Sequence, residues 1–215
     1  MKYTLPAIIF DLDGTLWDAT PAAGKIWNPV LEKHGGISFR MTTEISRKLM
    51  GKTTEEIGMA VFPNLSLEER SLLMEALDKE EVRFLKKNGA VLYDGLTDTL
   101  TALRKNHRLY IVSNCQVGYI EAFLSSHGLE DYFSDSESAG RTGLDKGSNI
   151  KLLMERNCLS SAVYVGDTSG DEKAAHAAGI PFIHASYGFG KSFAPDAVIQ
   201  SIRELPECLR AFKPL

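Results

Sequence analysis

The chain has little of what staples, anchors or charges a small protein. Its 215 residues include three cysteines, Cys115, Cys158 and Cys208, an odd number, widely spaced and without a Cys-x-x-Cys pair. Neither a disulfide framework nor a structural zinc site is expected from them. The five histidines, His34, His107, His127, His176 and His184, show no paired ligand spacing. No apolar stretch approaches the roughly 18 to 20 residues that a membrane-spanning helix needs. The N-terminal residues run straight into a core-type strand instead of a signal peptide, so no membrane partner and a cytoplasmic location are expected. The formal net charge is -4, which gives no electrostatic footprint for nucleic acid. Internal repeats and low-complexity segments are also missing. What remains is a chain long enough to bury one core, as one domain or as one domain with an insert. Helix patterns leave a monomer and a homodimer both open.

The most informative stretch that is present is Phe10-Asp11-Leu12-Asp13-Gly14-Thr15, directly after the apolar run Ala7-Ile8-Ile9-Phe10. In a parallel α/β sheet, ligands gather beyond the carboxyl ends of the strands. Asp11 and Asp13 are therefore expected at the mouth of a crevice with their carboxylates crowded together, and such crowding favours a bound cation. An ordinary strand-to-turn segment would use the same residue types, with Gly14 supplying φ > 0, so later stretches have to decide. Leu109-Tyr110-Ile111-Val112-Ser113-Asn114 is a β-branched run closed by a hydroxyl and an amide. Lys146 follows a glycine-containing loop, and Ala162-Val163-Tyr164-Val165-Gly166-Asp167 runs on to Asp171.

Along its length the chain opens with a strand, turns helical from about Thr20 to Gly89, and then alternates strands with helices. In the helical stretch, Thr20 can cap a helix with Pro21 at its first position, and Ala22, Ile26 and Val30 form one face before Gly35-Gly36 stops it. A short helix carries Ile45 and Leu49, another begins near Thr53-Thr54 and stops at Pro63, and Ser66-Leu67-Glu68-Glu69 is a capping box for a long helix closed by Gly89. The second half demands a parallel sheet. The expected fold is α/β, a Rossmann-like three-layer parallel-sheet core (residues 1–17 and 92–215) with an inserted all-helical cap domain (residues 18–91). The two crossings between core and cap, near Leu16 to Ala19 and Tyr93 to Gly95, read as hinges.

The four ordered motifs resemble those of the haloacid dehalogenase superfamily, specifically its phosphoglycolate phosphatase-like branch with a helical cap. The resemblance covers the whole chain, and four motifs in order carry more than any one of them. It implies a phosphatase for small phosphorylated metabolites. Asp11 is then the nucleophile that forms an aspartyl phosphate, and Asp13 the acid and base that serves the leaving oxygen and the attacking water. Ser113, Asn114 and Lys146 hold the phosphoryl group. A magnesium ion is implied at Asp11, Asp13 (through its backbone carbonyl), Asp167 and Asp171, the last directly or through water, with a plain helix N-terminal acid as its structural alternative. The sequence departs from the common pattern where Lys146 is followed by Gly147-Ser148, since proline is frequent there. Asp13 and the acidic pair argue against dehalogenation. A sugar phosphomutase shares the same motifs, but Thr15 stands where mutases often carry Val or Ile, which favours hydrolysis. A non-catalytic phosphate- or partner-binding protein would need neither Asp13 nor a cation site. Substrate choice is expected from Gly51 and Lys52, flanked by Arg47, Lys48 and Met50, with Thr15 beneath. Trp17 and Trp27 are both candidates for the crevice wall, with core packing favoured for Trp27, which neighbours the apolar stripe of its helix. The loop Ser186-Tyr187-Gly188-Phe189-Gly190 reads as a wall of the site.

Overall fold

In the computed structural model, which describes residues 6–211, the first strand, β1 (Ala7–Phe10), is buried along its length. It is followed by a two-residue strand, β2 (Trp17–Asp18), and by four helices, α1 (Thr20–His34), α2 (Thr43–Leu49), α3 (Thr54–Val61) and α4 (Leu67–Asn88). The chain returns through β3 (Val91–Leu92) and continues α5 (Leu96–Leu103), β4 (Leu109–Ser113), α6 (Tyr119–His127), β5 (Asp135–Ser138), α7 (Ala139–Thr142) and α8 (Lys146–Arg156). It closes with β6 (Ala162–Gly166), α9 (Ser169–Ala177), β7 (Phe182–Ala185), β8 (Ala197–Ile199) and α10 (Leu205–Ala211).

Six strands form one parallel sheet in the order β5-β4-β1-β6-β7-β8. Its layering follows from side-chain alternation. Ala7 and Ile9 face the side where Ile150, Leu153 and Ala175 of α8 and α9 pack, with Tyr110, Tyr164 and Phe182 from the neighbouring strands. Ile8 and Phe10 face the opposite side, in a core that continues into α5, α6 and the helical insert. Burial on both faces explains why β1, β4 and β6 are near-continuous apolar runs. The register pairs Phe10 with both Ile111 and Val165, so Asp11, Ser113 and Asp167 leave three adjacent strands at nearly the same level. The chain passes to β4 and β5 on one side of β1, then crosses to β6 on the other. That reversal opens the crevice in which doubly wound sheets bind ligands.

The insert leaves and rejoins the sheet through an antiparallel ribbon pairing Trp17 with Leu92 and Asp18 with Val91. The start of α1 differs from expectation. The Asp18 carboxylate accepts hydrogen bonds from both the backbone N–H (2.9 Å) and the hydroxyl (2.6 Å) of Thr20. Thr20 is therefore already helical, the N-cap position falls on Ala19, and the Asp18 carboxylate just before it serves the first free N–H. Capping boxes do form at Thr53 with Glu56 and at Ser66 with Glu69. Among the described residues no helix is long and apolar enough to cross a membrane.

Candidate active site

The centre of the crevice is an ion-paired triad. Asp11 is fixed just beyond β1 by its backbone N–H, which donates to the Val165 carbonyl (2.8 Å). Lys146 is the first residue of α8, where Asp145 caps the helix by accepting from the Ser148 backbone N–H. Its ammonium, only 6% exposed, lies 2.8 Å from Asp11 Oδ1 and 2.6 Å from Asp171 Oδ1. Burial and the nearby Asp171 carboxylate push Asp11 up to about 6, against the opposing pull of Lys146. Burial alone would lower the Lys146 ammonium, but Asp11 and Asp171 hold it well above the ordinary lysine value. The lysine is thus a fixed positive charge at the strand ends. Glycine at 147 has its own reason, because a Cβ there would lie 3.2 Å from the Ala174 carbonyl of α9. Close packing of α8 on α9 selects it.

Asp171 serves two partners at once. Its Oδ2 accepts from the Thr168 backbone N–H (2.9 Å) and hydroxyl (2.7 Å), which closes a capping box at the start of α9, while its Oδ1 takes Lys146. The helix-terminal acid and the site residue are one and the same.

Asp167 is fully buried and sits within the same cluster. Carboxylate oxygens of Asp11, Asp167 and Asp171 all lie within 4.8 Å of one another. Burial first, then the charges of Asp171 and Asp11, push Asp167 up to about 8. The loop from Ser186 to Gly190, expected to be a wall only, holds this side chain. The backbone N–H groups of Phe189 (2.7 Å) and Gly190 (3.2 Å) donate to Asp167 Oδ2. Its Oδ1 is buried with no hydrogen-bond partner among the described residues. An unpaired acceptor beside two further carboxylates is the donor set a hard divalent cation requires. The site therefore fits such an ion.

Two glycines make that approach possible. At Gly14, with φ +84°, a Cβ would overlap the Asp167 carboxylate; at Gly188 it would overlap both Asp167 and the Gly14 carbonyl. Gly188→Ala is therefore expected to displace the loop that orients Asp167 and to weaken divalent-cation affinity by about 10- to 100-fold, as loss of outer support does at metal sites. Isothermal titration with magnesium chloride checks this, and unchanged affinity would remove the loop from the site.

Asp13 lines the cavity with its Oδ1 accepting from the Tyr119 hydroxyl (2.9 Å). Burial and the neighbouring Asp11 charge raise its carboxyl well above the usual carboxylate range, so it holds a proton more readily than a free aspartate. Ser113, 5% exposed, closes β4 on the cavity wall. The Asn114 amide donates to the Gly51 carbonyl (2.9 Å), a contact from the core to the insert. Gly51 and Lys52 both line the cavity, with Lys52 exposed at its mouth. Thr15 lies outside the lining; it is fully buried, and its carbonyl accepts from the Tyr187 hydroxyl (2.9 Å). Arg47 faces away into an ion pair with Asp18 (3.6 Å). Trp17 departs from expectation, being a core residue packed edge-on against Tyr119 and Phe123, whereas Trp27 is buried in the core as expected and also lines the cavity. Tyr119, Gln116 and Glu81 are lining residues that motif reading does not mark. Glu81 had a visible cue, since it falls at the four-residue spacing of the buried Leu73, Leu77 and Leu85 on α4. The cavity is about 70 Å³.

Residues 8–185 match the family model described as haloacid dehalogenase-like hydrolase. The chain is 27% identical over 195 residues to the phosphoglycolate phosphatase of Rhodobacter capsulatus, with 87% of each protein covered. It is 26% identical over 232 residues to that of Escherichia coli, covering 92% of this chain and 90% of the relative. Among solved structures, a haloacid dehalogenase-like family hydrolase from Streptococcus pneumoniae superposes with a TM-score of 0.80 at 21% identity, covering 95% of this chain and 98% of the other. Rhodobacter sphaeroides CbbY, solved in complex with xylulose-(1,5)bisphosphate, gives a TM-score of 0.79 at 20% identity, with 94% and 96% covered. These likenesses show the same fold.

Proposed function

We propose that this chain, which belongs to the haloacid dehalogenase-like hydrolases, is a magnesium-dependent phosphatase of small phosphorylated metabolites that works through an aspartyl phosphate. The observation that carries the reading is the arrangement at the strand ends: a buried carboxylate, Asp11, ion-paired to Lys146, with a second, proton-retaining carboxyl on Asp13 two residues away. Nucleophile, fixed charge and proton donor then converge on one small cavity.

In the first step a carboxylate oxygen of Asp11 attacks phosphorus as the bond to the leaving oxygen breaks, and Asp13 gives that oxygen its proton. In the second, Asp13 takes a proton from water, whose oxygen attacks phosphorus as the bond from phosphorus to the Asp11 oxygen breaks, releasing inorganic phosphate and returning the Asp11 carboxylate and the protonated Asp13 to their starting states. Tyr119 holds the Asp13 carboxyl in place through both steps. Lys146 and the Ser113 hydroxyl, with neighbouring backbone amides, balance charge on the phosphoryl oxygens in a site shielded from water. Asp11, Asp167 and the Asp13 backbone carbonyl would hold magnesium, with Asp171 reaching it directly or through water. When bound, the ion neutralises the repulsion between an anionic nucleophile and an anionic phosphate. Residues 18–91 act as the cap over a catalytic core of residues 1–17 and 92–215, and Lys52 at the mouth draws the phosphate in.

Inorganic phosphate release from a panel of phosphomonoesters, with and without magnesium, tests the reading. Magnesium-dependent release is expected, and no release from any compound would overturn it. A second expected result needs no substrate. At a magnesium concentration about 100 times its dissociation constant, binding stabilises the fold by about 2.7 kcal/mol, or roughly 5 to 10 °C in Tm for a chain of this size. Asp167→Asn should abolish that shift. An equal shift in the variant would place the ion elsewhere.

A further inference from the structure

Glu81, half-buried, is the acid lining the cavity, among the described residues, that the proposed chemistry does not use. It stands on α4 across from the strand ends, and its Oε2 accepts a hydrogen bond from the Gln116 amide of the core (2.8 Å), with Trp27 as a second hydrogen-bonding neighbour. Burial raises the Glu81 carboxyl above its ordinary value, while both partners donate to it and so favour its acceptor form. One turn earlier on the same helix, the half-buried Asp78 is hydrogen-bonded to Thr54 just outside the cavity. The carboxyl on the wall facing the leaving group is that of Glu81. The cationic residues lining the cavity are Lys146, already shared between Asp11 and Asp171, and Lys52, exposed at the mouth. Among the described residues no guanidinium lines this space, although a guanidinium fork is the usual partner of a carboxylate ligand. A negative leaving group would face the Glu81 carboxyl without such a partner, while one bearing hydroxyl or ammonium hydrogens would find an acceptor there. Size adds a second restriction. A cavity of about 70 Å³, open to solvent at Lys52, admits about five water-sized positions, which suits a phosphoryl group with a short chain.

We infer that the substrate's leaving group is a small moiety that donates hydrogen bonds to Glu81, of the polyol or amino-alcohol type, and not a carboxylate. The inference rests on the phosphatase reading and sets this wall apart from what an α-hydroxy-acid phosphate would need.

The test compares kcat/KM for glycerol phosphate, ethanolamine phosphate and phosphoglycolate, with p-nitrophenyl phosphate as a general monoester, in wild-type and Glu81→Gln protein. Wild type is expected to favour glycerol phosphate or ethanolamine phosphate over phosphoglycolate by at least tenfold. Glu81→Gln keeps the shape and removes the charge, so that preference should shrink at least fivefold, chiefly because phosphoglycolate improves. Loss confined to ethanolamine phosphate in the variant would identify the amino-alcohol arm, and loss of both good substrates the polyol arm. Phosphoglycolate turned over as well as or better than the others by wild type would overturn the inference while leaving the phosphatase reading standing. An unchanged ratio in a folded Glu81→Gln protein would overturn it too. Failure to hydrolyse any of the four esters would instead sink the phosphatase reading, and the inference with it.

Discussion

Asp11→Asn should reduce turnover of every phosphomonoester by at least about 10⁴-fold, the scale seen when a covalent nucleophile is removed from an otherwise intact site. The side chains are nearly isosteric, so the strand, the Asp11 backbone bond to Val165 and the position of Lys146 are all retained. What is lost is the carboxylate that attacks phosphorus. The same substitution should leave the metal-free protein as stable as wild type or more so. Asp11 is held in its ionised form at a cost from burial and from the Asp171 charge nearby, and a neutral amide relieves both. Inactivity with an undiminished Tm separates a chemical role from a structural one. Activity above about one hundredth of wild type, in protein freed of contaminating phosphatase, would remove Asp11 as the nucleophile.

How much of this was legible beforehand depends on which forces the residues obey. The apolar runs 7–10, 109–113 and 162–166 announce strands because both faces of the sheet are covered, and the acids that follow them must then share one crevice. Strand β5 is invisible by that criterion. Its sequence, Asp-Ser-Glu-Ser, is polar because it lies at the sheet edge, where Arg156 binds Asp135 (2.9 Å) and Glu137 (2.7 Å). Capping boxes at Ser66 and Thr53 are local and readable, whereas Asp18, and not Thr20, serves the first free N–H of α1 because the antiparallel ribbon fixes its carboxylate there. The role of the loop from Ser186 to Gly190 is tertiary in origin. Nothing within that segment says that its N–H groups will meet Asp167, some twenty residues back. The placing of Trp17 in the core, and of Trp27 at both core and cavity, has the same source. Trp17 sits on the ribbon that faces α6, and the side of α1 that carries Trp27 is decided by how the insert folds over the strand ends.

Lys146→Met should act on stability and catalysis together, and in the opposite sense to Asp11→Asn on stability. Methionine keeps the length of the aliphatic stem but leaves two buried carboxylates, Asp11 and Asp171, facing each other without their common partner. Breaking a buried ion pair from one side costs about 3 to 5 kcal/mol, which corresponds to a fall in Tm of roughly 6 to 20 °C for the metal-free protein. Turnover should drop about 10²- to 10³-fold, the cost of removing one preorganised charge-stabilising donor. Arginine is not expected to rescue either property, because the ammonium occupies a slot that is 6% exposed and lies 6.0 Å from the Tyr164 ring, with no room for a planar fork. The decisive measurement is the double variant. If Lys146 acts by balancing the Asp11 charge, then adding Asp11→Asn to Lys146→Met should recover part of the lost stability, a coupling of opposite sign to simple additivity. Strict additivity of the two changes in Tm would mean that the lysine stabilises the fold through its packing alone, and the charge argument for the site would lose its foundation.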